Sequence, residues 1–192
     1  LFGLWVSGQT QGRSAEAHKW VDEILDAATA FDDADLRIMG HVMAQSSFYC
    51  LGNFEEARRH GERIALLYDS EQGRRIEDVT YHDPLTANGI FGAQSLWMLG
   101  YPDKAVELYD TAIKHARARG NPFGMCFLLS TGTFLFALNR DSSRMLDHVE
   151  EGANWGRIHS LPIFTDVVAP VHEGIALIQS GQIQSGIATL LA

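Results

Sequence analysis

The chain has 192 residues, 46% hydrophobic and 20% charged, a composition that fits one folded domain or a short repeat array. Its formal charge of −9 with the eight histidines neutral, and no segregated basic face, argue against nucleic-acid binding by this segment. No apolar run reaches the roughly 18 residues of a membrane span, and "LFGLWVSGQTQGR" lacks the basic start of a signal peptide.

Taken in chain order, the segments read as helical hairpins of approximately 1–31, 34–69, 84–119, 122–159 and 162–192, with no alternating strand pattern. Each hairpin turns at one residue: Gly12, Gly52, Gly100, Arg140 and Gly181, spaced by 40, 48, 40 and 41. Five positions after each turn come Ala17, Ala57, Ala105, Met145 and Gly186, mostly small side chains that let two helices approach. Seven positions before the last four turns stand Gln45, Ala93, Thr133 and Gly174, and four before them stand Phe48, Leu96, Phe136 and Leu177. Large and small residues therefore alternate where two helices interdigitate. In "DKAVELYDTAIKHA" the residues Ala105, Leu108, Tyr109, Ala112, Ile113 and Ala116 form one buried stripe. Pro84, Pro122 and Pro162 stand near the starts of first helices, where proline is tolerated, whereas Pro170 should kink or divide its helix. Gly89, Gly92, Gly124 and Gly132 weaken the first helices of the third and fourth pairs by roughly 1 kcal/mol each, so packing must hold them or something must approach their backbone. Cys50 and Cys126 lie in apolar helical runs without CxxC spacing, and are expected to be buried free thiols of a cytoplasmic protein.

The fold class that follows is all-α, and the pattern of turn glycine, small residue and apolar stripe resembles the tetratricopeptide (TPR) hairpin, which implies a single TPR-like domain, an α-α superhelix or right-handed solenoid of about five hairpins with repeats of ~40 residues. A closer resemblance rests on "LFGLWV", "FYCLGNFEEARRH", "HDPLTANGIFGAQSLWMLGYPDKAV", "ARARGNPFGMCFLLS" and "EGIALIQSGQIQSGIATL". These resemble the C-terminal TPR region of large bacterial regulatory proteins, in which a winged-helix or nucleotide-cyclase domain and a predicted signal-transduction ATPase module precede the repeats. The resemblance implies a sensing or interaction module of a cytoplasmic regulator, and places no cyclase or ATPase chemistry in this segment. Leu1 in place of methionine and the ending "GIATLLA" suggest a piece of a longer polypeptide.

Stacked hairpins present their first helices to a concave face. Val42, Ser46 and Tyr49; Ile90, Gln94 and Trp97; Ser130 and Phe134; and Val171, Ile175 and Ile178 are the residues expected there. Such a face is apolar and aromatic, suited to a peptide segment or a small apolar ligand, unless the same side chains simply form core. The extra length between the second and third turns, residues 69 to 84, reads as a loop carrying Arg74, Arg75, Tyr81, His82 and Asp83. Its arginines could fork onto a carboxylate or phosphate, or the segment is a solvated connector whose Asp83 caps the helix at Pro84. The histidines scatter without HExxH, ExxH or four-residue spacing, and Glu56 with His60 reads as a surface contact, so no metal and no cofactor is expected. GxSxG, GxxxxGK[ST] and GxGxxG motifs are missing, which favours a non-enzymatic scaffold. The expected partner is a protein or peptide, foremost another domain of the same polypeptide, or a small-molecule effector. Alternatives are a structural or oligomerising unit, a homodimer included, and more remotely an enzyme using Tyr81, His82 and Asp83.

Overall fold

The computed structural model describes residues 1–192 and contains helices and turns but no strand. Helices α1 (Phe2–Thr10), α2 (Ser14–Ala17), α3 (Lys19–Ala30), α4 (Ala34–Cys50), α5 (Phe54–Leu67), α6 (Ser70–Thr80) and α7 (Pro84–Met98) are followed by α8 (Pro102–Arg119), α9 (Pro122–Leu138) and α10 (Ser142–Ile158). A π-helical segment, Ile163–Val168, then leads into α11 (Ala169–Gln179) and α12 (Ile183–Leu191). No helix is long and apolar enough to cross a membrane. The chain forms two compact units, Leu1–Ala112 and Ile113–Ala192, and passes from one to the other within α8.

The five turn residues expected from sequence all adopt the left-handed conformation: φ is 70° at Gly12, 78° at Gly52, 88° at Gly100, 57° at Arg140 and 88° at Gly181. After each, the next residue donates its N–H to the carbonyl five positions earlier. Arg13 to Gly8, Asn53 to Phe48, Tyr101 to Leu96, Asp141 to Phe136 and Gln182 to Leu177 are all 2.9 Å. This closure satisfies carbonyls that the helix end leaves orphaned, and it favours glycine because a Cβ in the left-handed region costs about 1–2 kcal/mol. Arg140 bears that strain. Arg140→Gly is therefore expected to raise stability by about 0.5–1 kcal/mol, once the added freedom of the unfolded chain is subtracted; thermal unfolding of the variant measures it.

In the first unit, α4 packs against α3, α5 and α7. One cluster of buried side chains joins Trp5, Ala17, Val21, Ile24 and Met43, and a second joins Ile38, Val42, Ile64, Ile76 and Ala87. Side-chain caps start the helices: Asp33 accepts from the N–H groups of Asp35 and Leu36, and Asn53 from that of Glu56. In the second unit, α10 packs on α9 and α11, and α12 closes on α11. There the small residues on either side of the turn meet, as their spacing anticipates: a Cβ on Gly186 would stand 2.6 Å from the Gly174 carbonyl oxygen.

Three features depart from the simple hairpin series. Residues 70–80, read from sequence as loop, form α6, because Asp69 accepts hydrogen bonds from the Glu71 and Gln72 N–H groups and Ile76 buries its side chain. The helix containing Pro170 changes its winding there: a π-helical segment runs to Val168, and Val168 and Ala169 keep right-handed helical dihedrals into the regular helix that carries Pro170 in its first turn. Cys126 is buried, but Cys50 is exposed: it is the last residue of α4, whose buried stripe runs through Met43, Ser46 and Ser47 instead.

Candidate functional site

The first helices of the second and third hairpins, α4 and α7, hold six of the residues expected on a binding face, and the structure sorts them. Val42, Ser46, Ile90 and Gln94 are buried, so these belong to the interior. Tyr49 and Trp97 are half-buried near the C-terminal ends of their helices. The Tyr49 hydroxyl donates across to Gln94 Oε1 in a short contact, linking α4 to α7. The Tyr49 ring lies 5.6 Å from that of Phe91 and 5.9 Å from that of Phe54. Phe91 and Phe54 escape the sequence reading because it followed the first-helix stripe alone. Burial raises the Tyr49 phenol above its ordinary range, so it remains a hydrogen-bond donor near neutral pH.

Between the same helices lies a buried amide pair. Gln45 Nε2 donates to Asn88 Oδ1 at 2.7 Å, and both side chains are buried. A Cβ on Gly61 would stand 2.3 Å from Gln45 Nε2, and one on Gly92 would stand 2.3 Å from Asn88 Oδ1. What approaches the glycine-weakened backbone of α7 is thus the protein's own amide pair.

The residues expected in the loop between 69 and 84 do not converge on one pocket. Arg74 is exposed. Arg75 forks onto Asp35 through Nε and Nη2, both at 2.8 Å, so its guanidinium serves an internal carboxylate. Tyr81 ends α6 with φ of 61° and stands 66% exposed. His82 is half-buried, and burial lowers its pKa from the ordinary imidazole value. Asp83 is 1% exposed; it accepts the Tyr68 hydroxyl at 2.8 Å and the Thr86 N–H at 3.0 Å. The capping role expected for Asp83 is therefore present, joined to a tyrosine that sequence gave no reason to choose.

A histidine pair escaped the sequence reading altogether. His41 on α4 and His60 on α5 face each other, Nδ1 to Nδ1, at 2.9 Å. Burial lowers both pKa values, that of His41 to about 4, with His60, Arg63 and Arg37 adding repulsion there. The available signal was position: both residues lie two to three helical turns from Gly52, on opposite sides of it.

In the second unit Phe134 is 51% exposed and meets the His172 ring edge-on, 5.1 Å between centroids. Ser130 bonds back to the Cys126 carbonyl within α9. Ile175 and Ile178 are half-buried, and Val171 is exposed. His172 Nδ1 lies 2.8 Å from Thr133 Oγ1, and His172 and His148 line one small cavity with Thr133 and Phe164. Burial lowers the pKa of both histidines; around His148 stand Arg144, Glu151 and Arg117. Below the unfolded imidazole value of about 6.5 the unfolded chain binds more protons than the folded one, so stability falls with pH in that range. Tm is expected to hold from pH 8 to 7 and to decline below about pH 6.5. His172→Gln should flatten the decline, which differential scanning calorimetry across pH will report.

Comparison with protein-family models and with curated proteins finds no match.

Proposed function

We propose that this chain is a non-enzymatic, TPR-like scaffold of a cytoplasmic bacterial regulator, binding a peptide segment or small effector through the half-buried aromatic ends of α4 and α7. The observation that carries the reading is the Tyr49–Gln94 contact, which ties two first helices together beside Phe54 and Phe91, with half-buried Trp97 three residues on from Gln94. Tyrosine and tryptophan at such a place combine large apolar area with a polar tip and few rotatable bonds, the chemistry of peptide-binding hot spots. Buried Gln94 holds the Tyr49 hydroxyl and so fixes the orientation of that ring. The small residues Ala17, Ala57, Ala105 and Gly186, each five positions after a hairpin turn, support a repeat built from one hairpin type; the left-handed closure itself is shared by the connections at Asp32 and Ser160. Further support comes from the sequence resemblance to the repeat region of bacterial regulators. Ligand binding would inform neighbouring domains only if it distinguishes two arrangements of the helices.

A thermal-shift screen against bacterial metabolites and a library of short peptides tests the proposal, with Trp97→Ala in parallel. A reproducible rise in Tm that disappears in folded Trp97→Ala is the expected result. A hit that persists unchanged in that variant would remove the face from consideration.

A second reading, an oligomerising or purely structural unit, is favoured by α12, where Ile183, Ile187, Leu190 and Leu191 are all exposed. It expects a mass that grows with concentration in sedimentation equilibrium and no stabilisation by any ligand.

A further inference from the structure

The α4–α5 hairpin brings His41 and His60 together from positions nineteen residues apart. Their Nδ1 atoms are 2.9 Å apart, with ring centroids at 5.1 Å. Phe48 backs the pair, its ring 5.5 Å from that of His60 and 4.6 Å from that of His18. The pair also lines an open groove of about 500 Å³, with Glu56, Arg59, Glu62 and Arg63. Glu56 pairs with Arg59 and Glu62 with Arg58, so the carboxylates there are already in ion pairs.

Two imidazole nitrogens this close must share something. Either one ring donates an Nδ1–H to the other, or both lone pairs face a common cation. Metal–imidazole bonds of about 2.0–2.1 Å set at about 90° place two nitrogens about 2.9 Å apart, while the tetrahedral angle places them about 3.3 Å apart. The observed 2.9 Å is the length of an N–H···N hydrogen bond and also the spacing of neighbouring positions on an octahedral or square ion, so an ion could replace the shared proton with little movement of the rings. We propose that His41 and His60 form a two-histidine site for a divalent first-row transition-metal ion, whose other positions are filled by water or by donor atoms of a bound molecule.

No group of three or more histidine, cysteine or acidic side chains is assembled for a metal anywhere in the chain. The ion is accordingly exchangeable rather than a structural staple. Arg63 and Arg37 lie near enough to His41 to act on its charge, which weakens the hold on a cation there. The site does not rest on the peptide-binding reading, since it uses the α4–α5 groove rather than the α4–α7 aromatic end.

The test is a calorimetric titration of the tag-free chain with Ni²⁺, and separately with Zn²⁺, near pH 7.5. One ion per chain is expected, with Ni²⁺ the tighter. His41→Gln and His60→Gln should each weaken binding at least tenfold. Cys50→Ser and His159→Gln, which alter exposed donors elsewhere, should leave it unchanged. Should a histidine variant fail to fold, paramagnetic broadening by Ni²⁺ in the unmodified chain decides: the His41 and His60 ring signals are expected to broaden first. No binding, binding retained by the double glutamine variant, or broadening centred on other histidines would overturn the assignment.

Discussion

Gly61→Ala is expected to destabilise the protein by about 2–4 kcal/mol, lowering Tm by on the order of 10 °C. Helix propensity alone points the other way, since alanine in a helix interior gains about 1 kcal/mol over glycine. The difference lies in what the new methyl group meets. It would fall 2.3 Å from Gln45 Nε2 and 2.4 Å from Asn88 Oδ1, the two atoms of a 2.7 Å hydrogen bond. Both amides are buried, and Gln45 Oε1 already lacks a partner. Neither side chain can swing aside without leaving a second polar group unpaired, which costs about 1–3 kcal/mol beyond the overpacking itself. The signature of this mechanism is non-additivity. In an Asn88→Ala background the added methyl should cost markedly less, because the space and the hydrogen bond are both gone. Chemical denaturation of the four chains measures the cycle; a rise in stability for Gly61→Ala alone would mean that the amide pair is not where the structure has it.

Asp83→Ala is expected to cost about 2–4 kcal/mol. A lost N-cap accounts for about 0.5–2 kcal/mol, and the Tyr68 hydroxyl left without its acceptor for about 1–3 kcal/mol. Tyr68 matters beyond its hydroxyl, because its ring lies over Gly73, where a Cβ would stand 2.6 Å away. The aspartate thus holds the end of α5, the inner face of α6 and the start of α7 in one arrangement. Asp83→Asn should recover part of the loss by keeping the acceptor at the Thr86 N–H, and Tyr68→Phe should cost about 1 kcal/mol. Urea unfolding midpoints separate these three values. Equal stability for Asp83→Ala and the parent would show that α6 does not depend on this carboxylate.

The hairpin turns were legible in the residues themselves, because a left-handed backbone leaves a chemical trace. Four of the five turns carry glycine, and the fifth could still be placed at Arg140 by its spacing. Small residues at fixed distances from the turn were legible for a similar reason: Gly174 and Gly186 sit where two backbones touch. Helix α6 was not legible, since Arg74, Arg75, Glu77 and Asp78 form a polar run whose buried residues are only Gln72, Gly73, Ile76 and Thr80. Its strongest local sign is Asp69, a capping residue that in sequence is equally at home in a loop. Of the candidate site, Tyr49 and Gln94 were found from the first-helix stripe, but their contact was not, because side-chain reach between helices is a tertiary property. The His41–His60 pair was missed because metal motifs were sought along one helix. The two histidines lie eleven residues before and eight after Gly52, so their meeting depends on how the two helices pack and not on spacing alone.

The most direct test of the proposed binding face is hydrogen–deuterium exchange of the chain with and without a peptide or metabolite that raises its Tm. Slowed exchange is expected at the C-terminal ends of α4 and α7, near Tyr49 and Gln94, with α6 unchanged. Protection confined to α5, α6 or α12, with those two helix ends unaffected, would contradict it.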